Sequence, residues 1–138
     1  ANFCIDYPLG LAEPPSDEYP LILTIGRYLS HWHTMTRTSK VQKLSKKNSE
    51  PLLEINSKDA LSLAIKNDET VQIKSKRGKV KAKVHITDKI KVGTVFLPMH
   101  WGFSQKNMCE VNSLMHEKSC PISKQPELKA CSVIIIPN

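Results

Sequence analysis

Hydrogen-bond donors crowd the stretch that follows the first apolar run of the sequence. The run from Tyr19 to Ile25 has the β-branched residues of a buried strand, and Gly26 ends it at a residue that can turn into backbone space closed to others. After it come cations, imidazoles, an indole and hydroxyls: Arg27, His31, Trp32, His33, Thr34, Thr36, Arg37 and Thr38. Such a loop presents N–H groups and positive charge to a phosphate-bearing ligand, although the same residues could equally solvate a long connection.

A second group of chemically capable residues follows another apolar run. Thr94–Pro98 predicts a buried strand, and its end delivers Met99, His100 and Trp101. The stretch Phe103–Lys129 has little periodicity and predicts a long loop, which in a compact domain is usually functional. Two strand ends and one long loop therefore hold the chemistry, which favours a ligand site at one rim of the fold.

Alternating and β-branched segments predict about six short strands that must position these residues. Besides the two above, the predicted strands are 51–55, 70–75, 79–87 and 130–136. Asn56 is expected to cap a short helix, with Asp59 completing a capping box, whereas Ser45–Ser49 is expected to be mobile. Short strands with one or two small helices indicate a barrel or sandwich, and a closed barrel with a ligand at one rim accounts best for the pattern.

Length and charge limit the class of protein. A chain of 138 residues suits one domain with one core, and a formal charge of +7 favours anionic partners such as nucleotides, phosphates, oxyanions or nucleic acid. Much of the excess lies in Lys79–Thr87, where lysines alternate with apolar residues and so share one solvated face of a strand. No aromatic residues interleave with these lysines for base stacking, so the pattern argues against nucleic acid.

The remaining composition bears on location and redox state. No run is long enough to span a membrane, and the first residues lack an export signal, so we expect a cytoplasmic protein without membrane contact. The four cysteines form no C-x-x-C pair and match no zinc-ligand spacing, which predicts reduced thiols and no metal site. Residues 1–18, rich in proline and acidic residues, predict a linker from upstream domains, and 19–138 the folded domain.

Several blocks of the sequence together resemble one protein family. They are Tyr19–Thr38, Glu54–Ala60, Gly93–Gly102, and Asn112 followed by Pro121–Cys131. They are similar to the C-terminal molybdopterin-dinucleotide-binding domain of the dimethyl sulfoxide reductase superfamily, with the assimilatory nitrate reductases as the nearest match. The Gly-Arg-x-x-x-His-Trp-His-Thr and Pro-Ile-Ser-Lys-Gln-Pro blocks are specific in combination, and the resemblance covers nearly all of the chain from Tyr19 onward.

The resemblance implies a mainly β fold, a double-psi β-barrel with one or two short helices, that closes over bis(molybdopterin guanine dinucleotide) with molybdenum. Arg27 and His33 would donate to phosphate or pterin oxygens, and Lys129 would supply a point charge. Met99 and His100 match the place where the domain nears the substrate funnel, although His100 could equally be a structural histidine of the rim. The positions implied to bind the cofactor are Ile25, Gly26, Arg27, His31, Trp32, His33, Thr34, Asn112 and Lys129.

Departures and missing parts limit what the resemblance implies for this chain alone. Ile25, Met115 and Cys120 stand where the family has a hydroxyl residue, a threonine and an aspartate, so those side-chain contacts are in question. In the family, the cysteines for a [4Fe–4S] cluster and for molybdenum belong to upstream domains. No catalytic residue or metal ligand is therefore expected here, and the 138 residues alone are expected to be inactive.

The implied function is to help bind the cofactor in a larger polypeptide that reduces nitrate to nitrite. Its partners would be the upstream domains and an electron donor such as ferredoxin, flavodoxin or an NADH-linked protein. The nearest alternative is the same domain of another molybdopterin oxidoreductase, such as formate dehydrogenase. An alternative of another class is a basic β-barrel module that binds nucleic acid or protein.

Overall fold

The computed structural model describes residues 10–102 and 109–137. Two short α-helices, α1 (Gln42–Lys47) and α2 (Ser57–Ser62), and two 3-10 helices, Thr38–Lys40 and Val111–Leu114, lie in the connections between strands. The strands are β1 (Leu21–Gly26), β2 (Leu52–Ile55), β3 (Thr70–Lys74), β4 (Lys79–Ile86), β5 (Thr94–Pro98) and β6 (Cys131–Ile136). Among the described residues, no helix has the length and apolar character needed to cross a membrane.

The six strands close into a barrel in the order β1-β5-β2-β4-β3-β6. β1 and β5 run parallel, as do β2 and β4, and the other neighbours are antiparallel. Exchanging β1, β2 and β3 with β4, β5 and β6 leaves these pairings unchanged, so two topologically equivalent halves build the barrel. The expected mainly β, double-psi barrel with one or two short helices is confirmed.

Side chains that alternate along the strands fill the barrel interior. In β4, Val80, Ala82 and Val84 are buried while the intervening lysines are exposed, as the sequence predicted. Each buried aliphatic side chain stabilises the fold by about 1.5–3 kcal/mol. Because the interior is apolar and filled, a polar ligand has to bind at an end of the barrel. The other inward residues are Leu21, Leu23, Ile25, Leu53, Ile55, Val71, Ile73, Val95, Leu97, Val133 and Ile135.

The pairing registers bring the chemically interesting connections to one end. Gly26 lies opposite Pro98, so β1 and β5 finish together, and Leu23 lies opposite Cys131, where β6 begins. β3 is antiparallel to β6 and therefore ends at this same end, and β4 is antiparallel to β3 and therefore begins there. The connections that leave from this end, which we call the site end, are 27–51, 75–78 and 99–130.

Local structure at the helices differs in part from the prediction. Asn56 caps α2 as predicted, since its Oδ1 accepts a backbone N–H of the first turn at 3.0 Å. The predicted capping box is wrong, because Oδ2 of Asp59 instead accepts from the Gly93 N–H at 2.7 Å. The stretch Ser45–Ser49, expected to be mobile, begins inside α1, where glutamine, leucine and lysines favour a helix.

Candidate functional site

The two distant segments singled out in the sequence meet at Ile25 and Lys129. Nζ of Lys129 donates to the Ile25 carbonyl oxygen, and it lies 3.5 Å from where a Cβ on Gly26 would stand. Lys129 and the start of the loop 27–38, which we call the donor-rich loop, therefore lie together at the site end. Because one carbonyl takes only one of the three ammonium protons, Lys129 keeps donors for a further acceptor.

Gly26 is needed for close packing, not for an unusual backbone. Among the described glycines, Gly93 is the one with a positive φ, +78°. The expectation that the chain turns through left-handed space at Gly26 is therefore wrong. A Cβ at Gly26 would lie 3.0 Å from the Phe96 ring, and the Gly26 carbonyl accepts from the Met99 N–H at 2.9 Å. The end of β1 is thus held tightly against β5.

Arg27, Trp32 and His33 form a stack on the loop that follows β1. The guanidinium carbon of Arg27 lies 4.8 Å from the Trp32 ring centroid, and the His33 ring meets the indole edge-on at 4.5 Å. Trp32 is 61 % exposed, and His33 and Thr34 are exposed beside it. A cation over an exposed indole gains about 0.5–1 kcal/mol, so the stack holds a planar cation next to an accessible aromatic face.

A cleft of about 400 Å³ lies beside this stack. It offers two cations, two hydroxyls, an amide, one carboxylate and aromatic surface, and its volume is within the range of small-molecule sites. Lys47 reaches it from α1, the helix that the sequence analysis missed. The lining residues are Arg27, Tyr28, Leu29, Ser30, Lys47, Asn48, Glu54 and Phe96.

His31 and His100 are buried, in contrast to His33. Nε2 of His31 lies 2.9 Å from the Asn48 carbonyl oxygen, and its Nδ1 lies 3.3 Å from Oγ1 of Thr38. Both ring nitrogens of His100 likewise contact the loop backbone. The structure therefore places these two imidazoles behind the loop, where they shape it, and His33 on its exposed face.

Three further predicted residues lie partly or wholly in the core. Ile25 is 2 % exposed and its side chain points into the barrel, so its backbone is what it presents at the site end. Met99 is half-buried against the core, and Trp101 is buried. The apolar run thus continues through the strand end into the loop.

Asn112 lies exposed on the 3-10 helix Val111–Leu114. The β3–β4 turn supports this helix from below, because a Cβ on Gly78 would lie 2.8 Å from the Ser113 carbonyl oxygen. Nε of Arg77 also donates to the last carbonyl of the helix at 3.0 Å. The β3–β4 turn therefore fixes the position of the 3-10 helix, and with it the position of Asn112 at the site end.

An ion-pair network that the sequence analysis missed ties the N-terminal segment to the barrel. Arg77 binds both carboxylate oxygens of Glu13, at 3.0 and 2.6 Å, and its Nη2 lies 3.2 Å from Sγ of Cys131. The Ser132 hydroxyl donates to the Glu13 carbonyl at 2.8 Å. The hydrogen bond from Arg77 lowers the pKa of Glu13, and burial raises the pKa of Cys131. Within the predicted linker, Glu13 is thus bound to the domain; residues 1–9 lie outside the described part.

The departures from the family pattern have identifiable structural roles. Met115 is buried and adds to the core. At Cys120, where the resemblance implies an aspartate, Sγ accepts from the Ser123 N–H at 3.4 Å, and the Cys120 N–H donates to the Gln125 carbonyl at 2.9 Å. The sulfur therefore takes an N–H that a carboxylate in the same position could accept.

The donor set of the site end fits a phosphorylated ligand that carries ring systems. Arg27 and Lys47 of the connection 27–51 and Lys129 of the connection 99–130 supply three cations, and charge-assisted hydrogen bonds to phosphate are the strong ones. Trp32 supplies an accessible aromatic surface next to them. A barrel end with these groups has the donors and the aromatic surface that a nucleotide-like ligand needs.

Residues 21–132 match the family described as the molydopterin dinucleotide binding domain, and the chain belongs to this family. Membership favours cofactor binding over the alternative of a basic barrel for nucleic acid or protein. It also confirms the resemblance stated from the sequence blocks, which lie mostly inside the matched range.

Three enzymes are similar in sequence to this chain over most of its length. A nitrate reductase from Synechocystis is 54 % identical over 99 % of the chain, and the alpha subunit of an F420-dependent formate dehydrogenase from Methanocaldococcus jannaschii is 42 % identical over 91 %. The assimilatory nitrate reductase catalytic subunit of Bacillus subtilis is 37 % identical over 91 %. The chain spans 19 %, 18 % and 17 % of these relatives, respectively, which is less than a fifth of their length.

A solved structure shares the fold. The acetylene hydratase from Pelobacter acetylenicus superposes with a TM-score of 0.72 over 88 % of this chain and 19 % of its own length. At 20 % identity, this similarity speaks for the barrel architecture alone.

Proposed function

We propose that this domain helps to bind bis(molybdopterin guanine dinucleotide) with molybdenum in an enzyme that reduces nitrate to nitrite. The observation that supports the proposal is that the Arg27–Trp32 pair and the contact of Lys129 with the Ile25 carbonyl lie at the same end of a barrel of the dinucleotide-binding family. Support for nitrate as the substrate comes from the Synechocystis relative, which is a nitrate reductase.

In this proposal the side chains of the domain bind and orient, and they carry out no chemical step. Arg27 and Lys129 neutralise phosphate charge, Trp32 packs against a ring, and Asn112 offers a donor and an acceptor. His33 and Thr34 add donors on the exposed face of the loop. When bound, the cofactor would supply the two-electron chemistry that removes one oxygen from nitrate, and this oxygen would take up two protons and leave as water.

The rest of the enzyme belongs to polypeptide outside this domain. We infer that upstream domains carry the [4Fe–4S] cluster and the protein ligand of molybdenum, and that the 138 residues alone are inactive. Ferredoxin, flavodoxin or an NADH-linked protein would deliver the electrons, in the cytoplasm and for nitrate assimilation. Met99, at the end of β5, remains the candidate for contact with the substrate funnel.

Molybdenum content of the full-length protein tests the binding role. Lys129→Met and Arg27→Met each remove a charge-assisted hydrogen bond, worth about 1.5–3 kcal/mol, so retained molybdenum under dilution should fall about tenfold or more. Lys81→Met is the matched control, since Lys81 is exposed on the outer face of β4. Molybdenum measured by mass spectrometry at control level in both variants would remove these residues from the site.

The substrate is tested separately, because the formate dehydrogenase relative at 42 % identity supports a second candidate. Full-length enzyme should form nitrite from nitrate with a reduced viologen dye as donor. Oxidation of formate with an oxidised dye, and no nitrite production, would instead establish the formate dehydrogenase alternative.

A further inference from the structure

His100 joins two points of the donor-rich loop from behind. Its side chain is 1 % exposed at the end of β5. Nδ1 lies 2.6 Å from the His33 carbonyl oxygen, and Nε2 lies 2.8 Å from the Tyr28 backbone nitrogen. A carbonyl can only accept and a backbone N–H can only donate, so a single neutral tautomer satisfies both contacts. In it, Nδ1 carries the proton and Nε2 accepts.

The two contacts fix the loop at both ends of the segment between Tyr28 and His33, which contains Trp32. His33 belongs to the exposed stack itself, and Tyr28 directly follows Arg27, another member of it. His33 has a φ of +38°, in the left-handed region that most residues avoid. The bond from His100 to the His33 carbonyl helps to hold this conformation, and with it the 4.8 Å distance between Arg27 and the Trp32 ring.

The surroundings of His100 disfavour a second proton. The His31 ring packs against it at 5.4 Å, and the rings of Trp101 and Tyr28 lie at 5.9 and 6.0 Å. Burial is the main cause that lowers the pKa of His100. The hydrogen bond to the His33 carbonyl acts against it, and the charges of His31, Arg27 and His33 act in the same direction as burial, so the net shift is downward. Both ring nitrogens of His31 are already engaged, by the Asn48 carbonyl and by Thr38.

We propose that His100 is a positioning residue of the cofactor-binding loop, whose uncharged ring clamps Tyr28 to His33, and that protonation at Nε2 opens this clamp. The inference rests on the proposed cofactor-binding function of the loop. A proton on Nε2 turns the acceptor into a donor facing the Tyr28 N–H, which leaves that N–H without a partner. The Arg27–Trp32–His33 stack then loses the backbone geometry that sets its spacing.

The sign of the pH dependence follows from the lowered pKa. Near neutral pH the ring is uncharged and the clamp is closed. Because the unfolded chain has the ordinary histidine pKa of about 6.5, the contribution of His100 to stability is complete above that pH and decreases as the pH falls towards the folded pKa. Acid therefore opens the loop, and alkali does not.

Two substitutions separate the clamp from the charge. His100→Gln keeps a donor and an acceptor on one side chain but cannot take up a proton in this range, whereas His100→Phe keeps a ring and removes both contacts. His85→Gln is the matched control, because His85 is exposed on the outside of β4. All four proteins are studied as full-length polypeptide, both without molybdate in the growth medium and loaded with molybdenum.

Hydrogen–deuterium exchange of the segment 27–33 in the molybdenum-free protein measures whether the two hydrogen bonds of His100 are formed. After correction for intrinsic exchange, wild type and His85→Gln should lose about tenfold protection between about pH 7.5 and the pH at which acid unfolds the domain, in proportion to one lost backbone hydrogen bond. His100→Gln should stay protected throughout, and His100→Phe should be unprotected throughout. Constant protection in wild type, or a Gln variant that follows wild type, overturns the proposal.

Retention of molybdenum by the loaded protein tests whether the loop binds the cofactor, which is the function on which the clamp proposal rests. Retention should fall on acidification in wild type and stay level in His100→Gln. Exchange that follows the expected pattern, with equal retention in all four proteins, would overturn the cofactor-binding role of the loop. The wild-type pH series needs no substitution to fold, so it decides on the clamp even if a variant fails to fold.

Discussion

Gly78→Ala is the substitution whose effect the structure defines most closely. Gly78 lies in the β3–β4 turn, beneath the 3-10 helix that carries Asn112. The added Cβ would stand 2.8 Å from the Ser113 carbonyl oxygen and 3.3 Å from its Oγ. A backbone carbonyl cannot swing aside as a flexible side chain can, so the turn or the helix has to move.

The magnitude follows from two opposing terms. Overpacking of this kind costs about 1–3 kcal/mol, whereas replacing glycine stabilises by about 0.4–1 kcal/mol through the unfolded chain. We therefore expect a net loss of about 1–2 kcal/mol, or roughly a factor of ten in the unfolding equilibrium. In the full-length protein the displaced helix should also lower molybdenum content, because Asn112 moves with it.

Urea unfolding of the chain is the assay, with a shifted midpoint at unchanged slope as the signature of a change in stability. Gly10→Ala is the control, since nothing lies within 4 Å of a Cβ there and a surface change of this type stays within about 0.5 kcal/mol. If Gly78→Ala proves as stable as Gly10→Ala, the support that the turn gives to the Asn112 helix is refuted.

Two further predictions concern the titratable groups of the site end. Because Arg77 lowers the pKa of Glu13, the contribution of Glu13 to the stability of the fold is complete above the ordinary glutamate pKa and is lost as the pH falls below it. Wild type should therefore lose stability below about pH 4.5 more steeply than Glu13→Gln. Urea midpoints of the two proteins that change in parallel with pH would contradict this. Burial raises the pKa of the Cys109 thiol to about 12, and Cys131 is fully buried, whereas Cys120 is partly exposed. A thiol reagent added to the native protein should therefore label Cys120 first of these three, as mapped by mass spectrometry. Equal labelling of the three in the native protein, as expected in denaturant, would contradict this.

Much of the fold could be predicted because its signals are local. The alternation in β4, the β-branched run of β6 and the cap at Asn56 each depend on neighbours a few residues away. The number and spacing of the strands predicted a closed barrel, and the resemblance of several sequence blocks predicted the family. The helix α1 was missed because its lysine-rich sequence has hardly any apolar face to give a periodic signal.

The roles of individual site residues depended on contacts that the sequence does not encode locally. His31, His33 and His100 look equivalent in the chain, yet the fold buries two of them behind the loop and exposes the third. Gly26 looked like a turn glycine, and only the Phe96 ring on the neighbouring strand shows that its role is close packing. Such distinctions follow from which side of a loop faces the core.

By itself, the sequence determined a basic, mainly β barrel domain with cations and an indole after its first strand. Only the tertiary structure decided which distant groups meet there: Lys129 at the carbonyl of Ile25, and Arg77 between Glu13 and Cys131. The physical reason is that local patterns fix which face of a strand is buried, whereas barrel closure and strand register fix which ends come together. A binding site at a barrel end is made of such ends.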